Sequence, residues 1–220
     1  MIKWLEDAVF YEVYPQSFRD SNGDGIGDIP GITEKLEYIQ ELGCNALWIN
    51  PCFTSPFYDA GYDVEDYYSV APRYGTNEDL KKLFEAAHQR GMHVLLDLVP
   101  GHTAVTHPWF QESMKAEKNE YTDRYVWTDS LYKRMEDVKG IVSVLRGISP
   151  RPASCGVNCF STQPALNYGF ANITDAGWQQ PTDAPGPMAT REELKNIMRF
   201  WLTLGCDGFR VDMAGFLGKN

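Results

Sequence analysis

Towards the end of this 220-residue chain, Gly208-Phe209-Arg210-Val211-Asp212 sets an arginine and an aspartate two positions apart in a short apolar run. On a β-strand, residues i and i+2 point to the same side. A guanidinium beside a carboxylate keeps it ionised at neutral pH, the state a nucleophilic aspartate needs. Arg210 and Asp212 are therefore candidate catalytic residues. Other apolar runs also end in polar groups: Asn50 follows Ala46–Ile49, and Asp97 lies in His93–Leu98 with His102 shortly after. Polar groups at the C-terminal ends of several parallel strands mark a barrel-type active site. Taken alone, Asp97 reads more readily as a buried, hydrogen-bonded structural group; the joint placement is what points to chemistry.

Two loops add to this set. Asp20-Ser21-Asn22-Gly23-Asp24-Gly25-Ile26-Gly27-Asp28 gathers oxygen donors. Side chains of Asp20, Asn22, Asp24 and Asp28, with the Ile26 carbonyl, are hard ligands suited to Ca²⁺ or Mg²⁺, and the alternating glycines permit a tight curl. The loop lacks the distal glutamate of an EF-hand and is flanked by strand and loop, so a metal-free run of Asx turns is the competing reading. Pro56 to Tyr68 alternates carboxylates with aromatics around Gly61. A carboxylate can accept two sugar hydroxyls while a tyrosine stacks on a pyranose face, although a packed surface loop has the same composition. Cys155 and Cys159, without a second ligand pair, are weak evidence for a metal or a bridge.

A recurring unit must position these groups: an amphipathic helix, a glycine, then a short apolar strand. Thr33–Leu42 with Gly43 precedes Ala46–Ile49, and Asn77–Arg90 with Gly91 precedes His93–Leu98. Thr190–Leu204 with Gly205 precedes Gly208–Val211, with Thr190 and Glu193 spaced as a capping box. Each glycine falls where a helix C-cap is expected. Continuous apolar strands indicate a sheet buried on both faces. With Ala8–Tyr14 as the opening strand, the pattern predicts a parallel α/β fold with right-handed crossovers. Thr103 to Ala189 is rich in Pro, Gly, Asn, Ser and Trp and has no long helical period. A loop that long needs structure of its own, so it reads as a small irregular domain inserted after the third strand. The expected division is 1–102 and 190–220 for the sheet and helices, and 103–189 for the insert.

The formal charge of −10 argues against nucleic acid or an anionic membrane as a partner. Five cysteines, an odd number scattered through apolar runs, suit reduced thiols better than a disulfide framework. Met1–Asp7 has no apolar signal-like core and no run approaches membrane-span length. A cytoplasmic location is the expectation.

Taken in order, these motifs resemble the α-amylase superfamily of glycoside hydrolases, nearest its α-glucosidase and oligo-1,6-glucosidase branch. The resemblance rests on Tyr11–Phe18, Asp20–Asp28, Gly61–Tyr67, Asp97–His102, Gln163–Tyr168 and Gly208–Asp212. It implies the first half of a (β/α)8 TIM barrel with a small domain inserted after strand three. It makes Asp212 the nucleophile and Arg210 its ionising partner, places Asp59, Tyr62 and His102 around the sugar, and makes Asp97 a supporting carboxylate. Retaining chemistry follows, with two carboxyl groups about 5–5.5 Å apart. The implied substrate is an α-linked gluco-oligosaccharide or α-glucan, and no organic cofactor is implied. Three positions depart from the family: Gly101 stands where asparagine is usual, Ala165 where aspartate is usual, and Met213 where a small or β-branched residue is usual. Neither a second calcium at the barrel–insert junction nor a linkage preference is carried over.

The acid/base glutamate of the family has no counterpart here, since Glu65 and Glu112 lie outside the matching motif. The chain therefore reads as the N-terminal part of a longer enzyme, a fragment with the remainder of its own barrel as partner and little activity alone. Two alternatives remain. A transglycosylase or a trehalose or sucrose isomerase would share the nucleophile. A non-catalytic carbohydrate-binding barrel should have lost it, whereas Asp212, Arg210, His102 and Tyr62 are all present. A purely calcium-binding module leaves the strand-end residues unexplained.

Overall fold

The computed structural model describes residues 2–133 and 141–218. They fall into two compact units of discontinuous chain. The first comprises Met1–Thr54, Asp66–Leu98 and Ile197–Val211; the second comprises Ser55–Glu65, Val99–Asn196 and Asp212–Asn220.

In the first unit, β1 (Phe10–Val13), β2 (Ala46–Ile49), β5 (His93–Leu98) and β8 (Gly208–Val211) form one parallel sheet in the order β1-β2-β5-β8. Leu47, Ile49, Val94, Leu96 and Leu98 are buried, as their continuous apolar runs require. The flanking strands depart from that pattern: Phe10 on β1 is 39% exposed and Val211 on β8 is 40% exposed. A short antiparallel pair, β3 (Phe53–Thr54) and β4 (Asp66–Val70), completes the strands of this unit. Phe53 stacks on Trp201 at 5.0 Å, and the Trp201 indole N–H donates to the Tyr67 carbonyl at 2.7 Å.

The helices differ from the sequence pattern in instructive ways. After α1 (Pro15–Phe18), the expected helix over Thr33–Leu42 is two: α2 (Ile29–Glu34) and α3 (Leu36–Glu41), broken at Lys35. Asp28 caps α2 by accepting from the Gly31 N–H, and Pro30 occupies the first turn, where its missing N–H costs nothing. Ile29, Ile32, Leu36 and Ile39 still share one buried face. Helix α4 (Asn77–His88) carries a full capping box between Thr76 and Asp79. The expected cap at Thr190 is overturned. Helix α6 begins at Pro185 and runs to Leu204, and the Thr190 hydroxyl donates back to the Gly186 carbonyl at 3.0 Å, as Ser and Thr do inside helices. Gly43, Gly91 and Gly205 all have positive φ, the left-handed conformation expected of a helix C-cap glycine.

The second unit holds α5 (Pro108–Ser113), the antiparallel pair β6 (Ser143–Leu145) and β7 (Cys155–Val157), and the first part of α6. Single bridges such as His102↔Ala165 and Tyr125↔Leu166 tie its loops together. Its core is a cluster of Phe110, Tyr125, Trp127, Cys155, Leu166 and Tyr168. Aromatic packing here substitutes for regular structure. Among the described residues none of the five cysteines forms a disulfide, and Cys155 is buried while Cys159 is exposed.

Candidate active site

On the sheet, Asp97 of β5 and Arg210 of β8 are register partners. Parallel pairing thus sets a carboxylate beside a guanidinium before any side chain adjusts. Arg210 Nη1 donates to Asp97 Oδ1 at 3.0 Å, and the Trp48 indole N–H donates to Asp97 Oδ2 at 3.0 Å. The guanidinium also lies 4.8 Å from the Trp48 ring centroid, within cation–π range. Asp97 is buried, so both carboxylate oxygens need such donors. The Asp97 side chain therefore serves as the structural anchor of the strand ends. The sequence expectation paired Arg210 with Asp212 on one strand. In the structure the strand ends at Val211, Asp212 enters the following turn, and Met213 is left-handed at φ 47. Arg210 also forms an ion pair with Asp97 of the neighbouring strand. Trp48 lies outside the strand-end motifs, and its one sequence signal is that a tryptophan in an aliphatic strand has an N–H that needs an acceptor.

In the second unit, Asp63 organises the loop that carries Asp59 and Tyr62. One Asp63 oxygen accepts from the Ser55 hydroxyl at 2.9 Å and the Asp59 N–H at 3.1 Å; the other accepts from the Tyr58 N–H at 2.8 Å. The curl forces Phe57 and Ala60 to φ 60 and φ 54, a conformation that costs a residue with a Cβ about 1–2 kcal/mol. Asp59 Oδ2 accepts from Gln163 Nε2 at 2.6 Å. Burial raises the Asp59 pKa and the Gln163 hydrogen bond opposes it, while the charges of Asp63 and Asp212 raise it further. His102 is buried between the Tyr62 carbonyl, 3.0 Å from Nε2, and the Asn158 amide nitrogen, 3.2 Å from Nδ1. The structure thus brings Asp59, Tyr62 and His102 together with Gln163 and Asn158. Gln163 lies in a recognised motif, but its contact with Asp59 and that of Asn158 with His102 carry no local signal.

The Asp20–Asp28 loop closes on its own backbone. Asp20 accepts from the N–H groups of Asn22, Gly23 and Gly25, Asn22 from Asp24, and Asp24 from Ile26. The Gly25 and Gly23 N–H groups hold the Asp20 carboxyl below its usual pKa. Asp28 accepts from Ser21 on one oxygen and caps α2 with the other. The donors are the hard oxygens that Ca²⁺ or Mg²⁺ takes. Among the described residues, however, no three His, Cys, Asp or Glu side chains converge as metal ligands.

The family model of the alpha-amylase catalytic domain matches residues 12–220. The trehalose synthase/amylase TreS of Mycolicibacterium smegmatis is 42% identical over 220 residues, covering 97% of this chain and 34% of its own. An oligo-1,6-glucosidase of Parageobacillus thermoglucosidasius is 39% identical over 216 residues, 98% of this chain and 36% of its own. The solved structure of the trehalulose synthase MutB from Pseudomonas mesoacidophila MX-45 matches with a TM-score of 0.80 at 38% identity, covering 95% of this chain and 35% of that one. This chain therefore spans well under half the length of each of these relatives. The parallel sheet β1-β2-β5-β8 corresponds to the first half of a (β/α)8 barrel. With that sheet order, the strand-end residues and a match that runs through residues 12–220, the chain belongs to the alpha-amylase family.

Proposed function

We propose that this chain supplies the nucleophile and much of the sugar-binding surface of a retaining glycoside hydrolase acting on α-glucosidic bonds of oligosaccharides or α-glucans. The observation that carries the reading is the family match running through Arg210 and Asp212, with Asp97 and Arg210 paired in register. Asp212 attacks the anomeric carbon and forms a glycosyl-enzyme, which water then hydrolyses. Arg210 keeps the strand end electropositive, with Asp97 holding the guanidinium in place. Asp59 takes sugar hydroxyls, Tyr62 stacks on the ring, and His102 lines the sugar site from behind by holding the Tyr62 carbonyl. The proton for the leaving oxygen is assigned to the part of the barrel that the relatives have beyond the matched region. The 220 residues alone are then expected to turn over no substrate.

The configuration of the first product tests the reaction class. With an aryl α-glucoside and the complete gene product, NMR should show α-glucose forming before mutarotation. β-Glucose as the first product would refute a retaining mechanism.

A second reading has the same intermediate captured by a sugar instead of water, giving transglycosylation or isomerisation. Its support is that a trehalose synthase/amylase and a trehalulose synthase stand among the relatives. Product analysis with maltose and sucrose separates the two. A non-catalytic sugar-binding barrel is disfavoured by the presence of Asp212, Arg210, Asp59 and His102 together.

The Asp20–Asp28 loop is assigned a Ca²⁺ or Mg²⁺ ion held by Asp20, Asn22, Asp24, the Ile26 carbonyl and Asp28. The support is a half-buried Asp20, its pKa lowered by backbone N–H groups, in a loop that Gly23 and Gly25 let curl. The ion would offset the negative charge of the loop and stiffen it. Calorimetric titration with each cation, repeated on Asp24→Ala, checks this; equal heats from both proteins would remove the site. No helix among the described residues is long and apolar enough to cross a membrane. We assign the protein to the cytoplasm, where buried thiols such as Cys52 and Cys206, both pushed up to about 12, stay reduced and unreactive.

A further inference from the structure

His102 sits between two partners that together decide which ring nitrogen carries its proton. Nε2 lies 3.0 Å from the Tyr62 carbonyl oxygen, an atom that only accepts. Nε2 therefore bears the hydrogen. Nδ1 lies 3.2 Å from the amide nitrogen of Asn158, an atom that only donates. Nδ1 is then the accepting nitrogen. Both contacts specify the same neutral tautomer. Only 2% of His102 and 3% of Asn158 are exposed, so water offers neither ring nitrogen a ready substitute.

The arrangement has a steric condition. A Cβ at position 101 would stand 2.6 Å from Asn158 Nδ2. Gly101 is not among the glycines with positive φ, so its backbone conformation does not demand glycine. What demands it is the room taken by the Asn158 amide.

We propose that Asn158 is a positioning residue for His102, with Gly101 as its permissive partner. The Asn158 amide holds the imidazole as the Nε2–H tautomer. That N–H then anchors the Tyr62 carbonyl, whose own N–H closes the turn on the Asp59 carbonyl at 2.9 Å. Asn158, from the segment after β7, thereby fixes a turn that carries two of the sugar-binding residues from 96 to 99 positions away along the chain (158 − 62 and 158 − 59). The consequence for sugar binding rests on the role proposed above for Asp59 and Tyr62; the tautomer lock does not.

The test is a ¹⁵N imidazole spectrum of the histidine-labelled protein, with His102 assigned by its loss in His102→Gln. In the native protein His102 should show a proton-bearing Nε2 and an unprotonated Nδ1. Asn158→Asp places an acceptor against Nδ1 and should move a proton there. Gly101→Ala deletes nothing from His102 but drives a Cβ into the Asn158 amide, and should yield a mixture of tautomers. Either variant decides the matter if the other fails to fold. A native proton on Nδ1, or a His102 spectrum unchanged in the folded variants, would overturn the proposal. Both variants should also raise KM for an aryl α-glucoside about tenfold with a smaller change in kcat, as misplacement of a binding group does. A tautomer change with KM unmoved would uphold the lock and instead contradict the sugar-binding role of the Asp59–Tyr62 turn.

Discussion

Asp97 and Asp63 are both fully buried carboxylates, and the protein satisfies them in opposite ways. Asp97 lies on a central strand and meets a formal positive charge, Arg210, together with the Trp48 indole N–H. Its geometry follows from parallel register. Asp63 lies in a loop and meets neutral donors: one hydroxyl and two backbone N–H groups within eight residues. Its geometry is what makes the register-free loop hold a shape. The strand carboxylate is part of an ion pair placed by the fold, whereas the loop carboxylate creates the local fold that places Asp59 and Tyr62. Removing the first should therefore damage the whole sheet, and removing the second should damage one loop.

Asp97→Ala tests the first half and should have the largest effect on stability. It removes the carboxylate that Arg210 and the half-buried Trp48 indole N–H share, and breaking a buried pair costs roughly 3–5 kcal/mol. Because Arg210 is 37% exposed, water relieves part of that loss, and the lower end is expected. Urea unfolding checks it, and a cost below about 1 kcal/mol would place Asp97 outside the stabilising framework.

Asp63→Ala should cost less globally, about 1–3 kcal/mol, because its freed donors can reach water once the loop opens. Its signature should be local. Hydrogen exchange at Tyr58 and Asp59 N–H should accelerate well before the sheet amides exchange. Uniform acceleration across both regions would erase the distinction between them.

Asp59 offers a finer probe. Its pKa is raised chiefly by burial, with Gln163 opposing and the charges of Asp63 and Asp212 adding. A carboxyl whose folded pKa lies above its unfolded value contributes stability below the unfolded pKa and loses it as pH rises through the folded one. Gln163→Leu should push the Asp59 midpoint up, and Asp212→Asn should bring it down, both followed by ¹³C carboxyl titration. On the sugar-binding role proposed for Asp59, whose ionised carboxylate is the stronger acceptor, the acidic limb of kcat/KM should move upward in Gln163→Leu. Movement of the two midpoints in the same direction would contradict the charge arrangement.

The same contrast explains what the amino-acid sequence could disclose. β2, β5 and β8 were legible to the residue, since short apolar runs after a C-cap glycine have one good structural solution. Strand-end residues such as Asp97 and Arg210 follow once the strands are placed. The start of α6 was not legible, because Pro185 and Pro187 read as loop residues while Thr190 and Glu193 imitate a cap one turn inside. The break at Lys35 was hidden by a buried stripe that continues across it. Nor could sequence show that Gln163 reaches Asp59 across 104 positions or that Asn158 reaches His102 across 56. Those pairings are products of tertiary folding, and nothing in either short segment announces its partner.

The central claim is that Asp212 is the nucleophile. Incubating the complete gene product with a fluorinated α-glucosyl fluoride and mapping the adduct by peptide mass spectrometry tests it most directly. The account predicts one fluoroglucosyl group on the peptide carrying Asp212, absent in Asp212→Asn, whose kcat should fall at least about 10³-fold. An adduct on another carboxylate, or an Asp212→Asn protein that keeps its turnover, would contradict it.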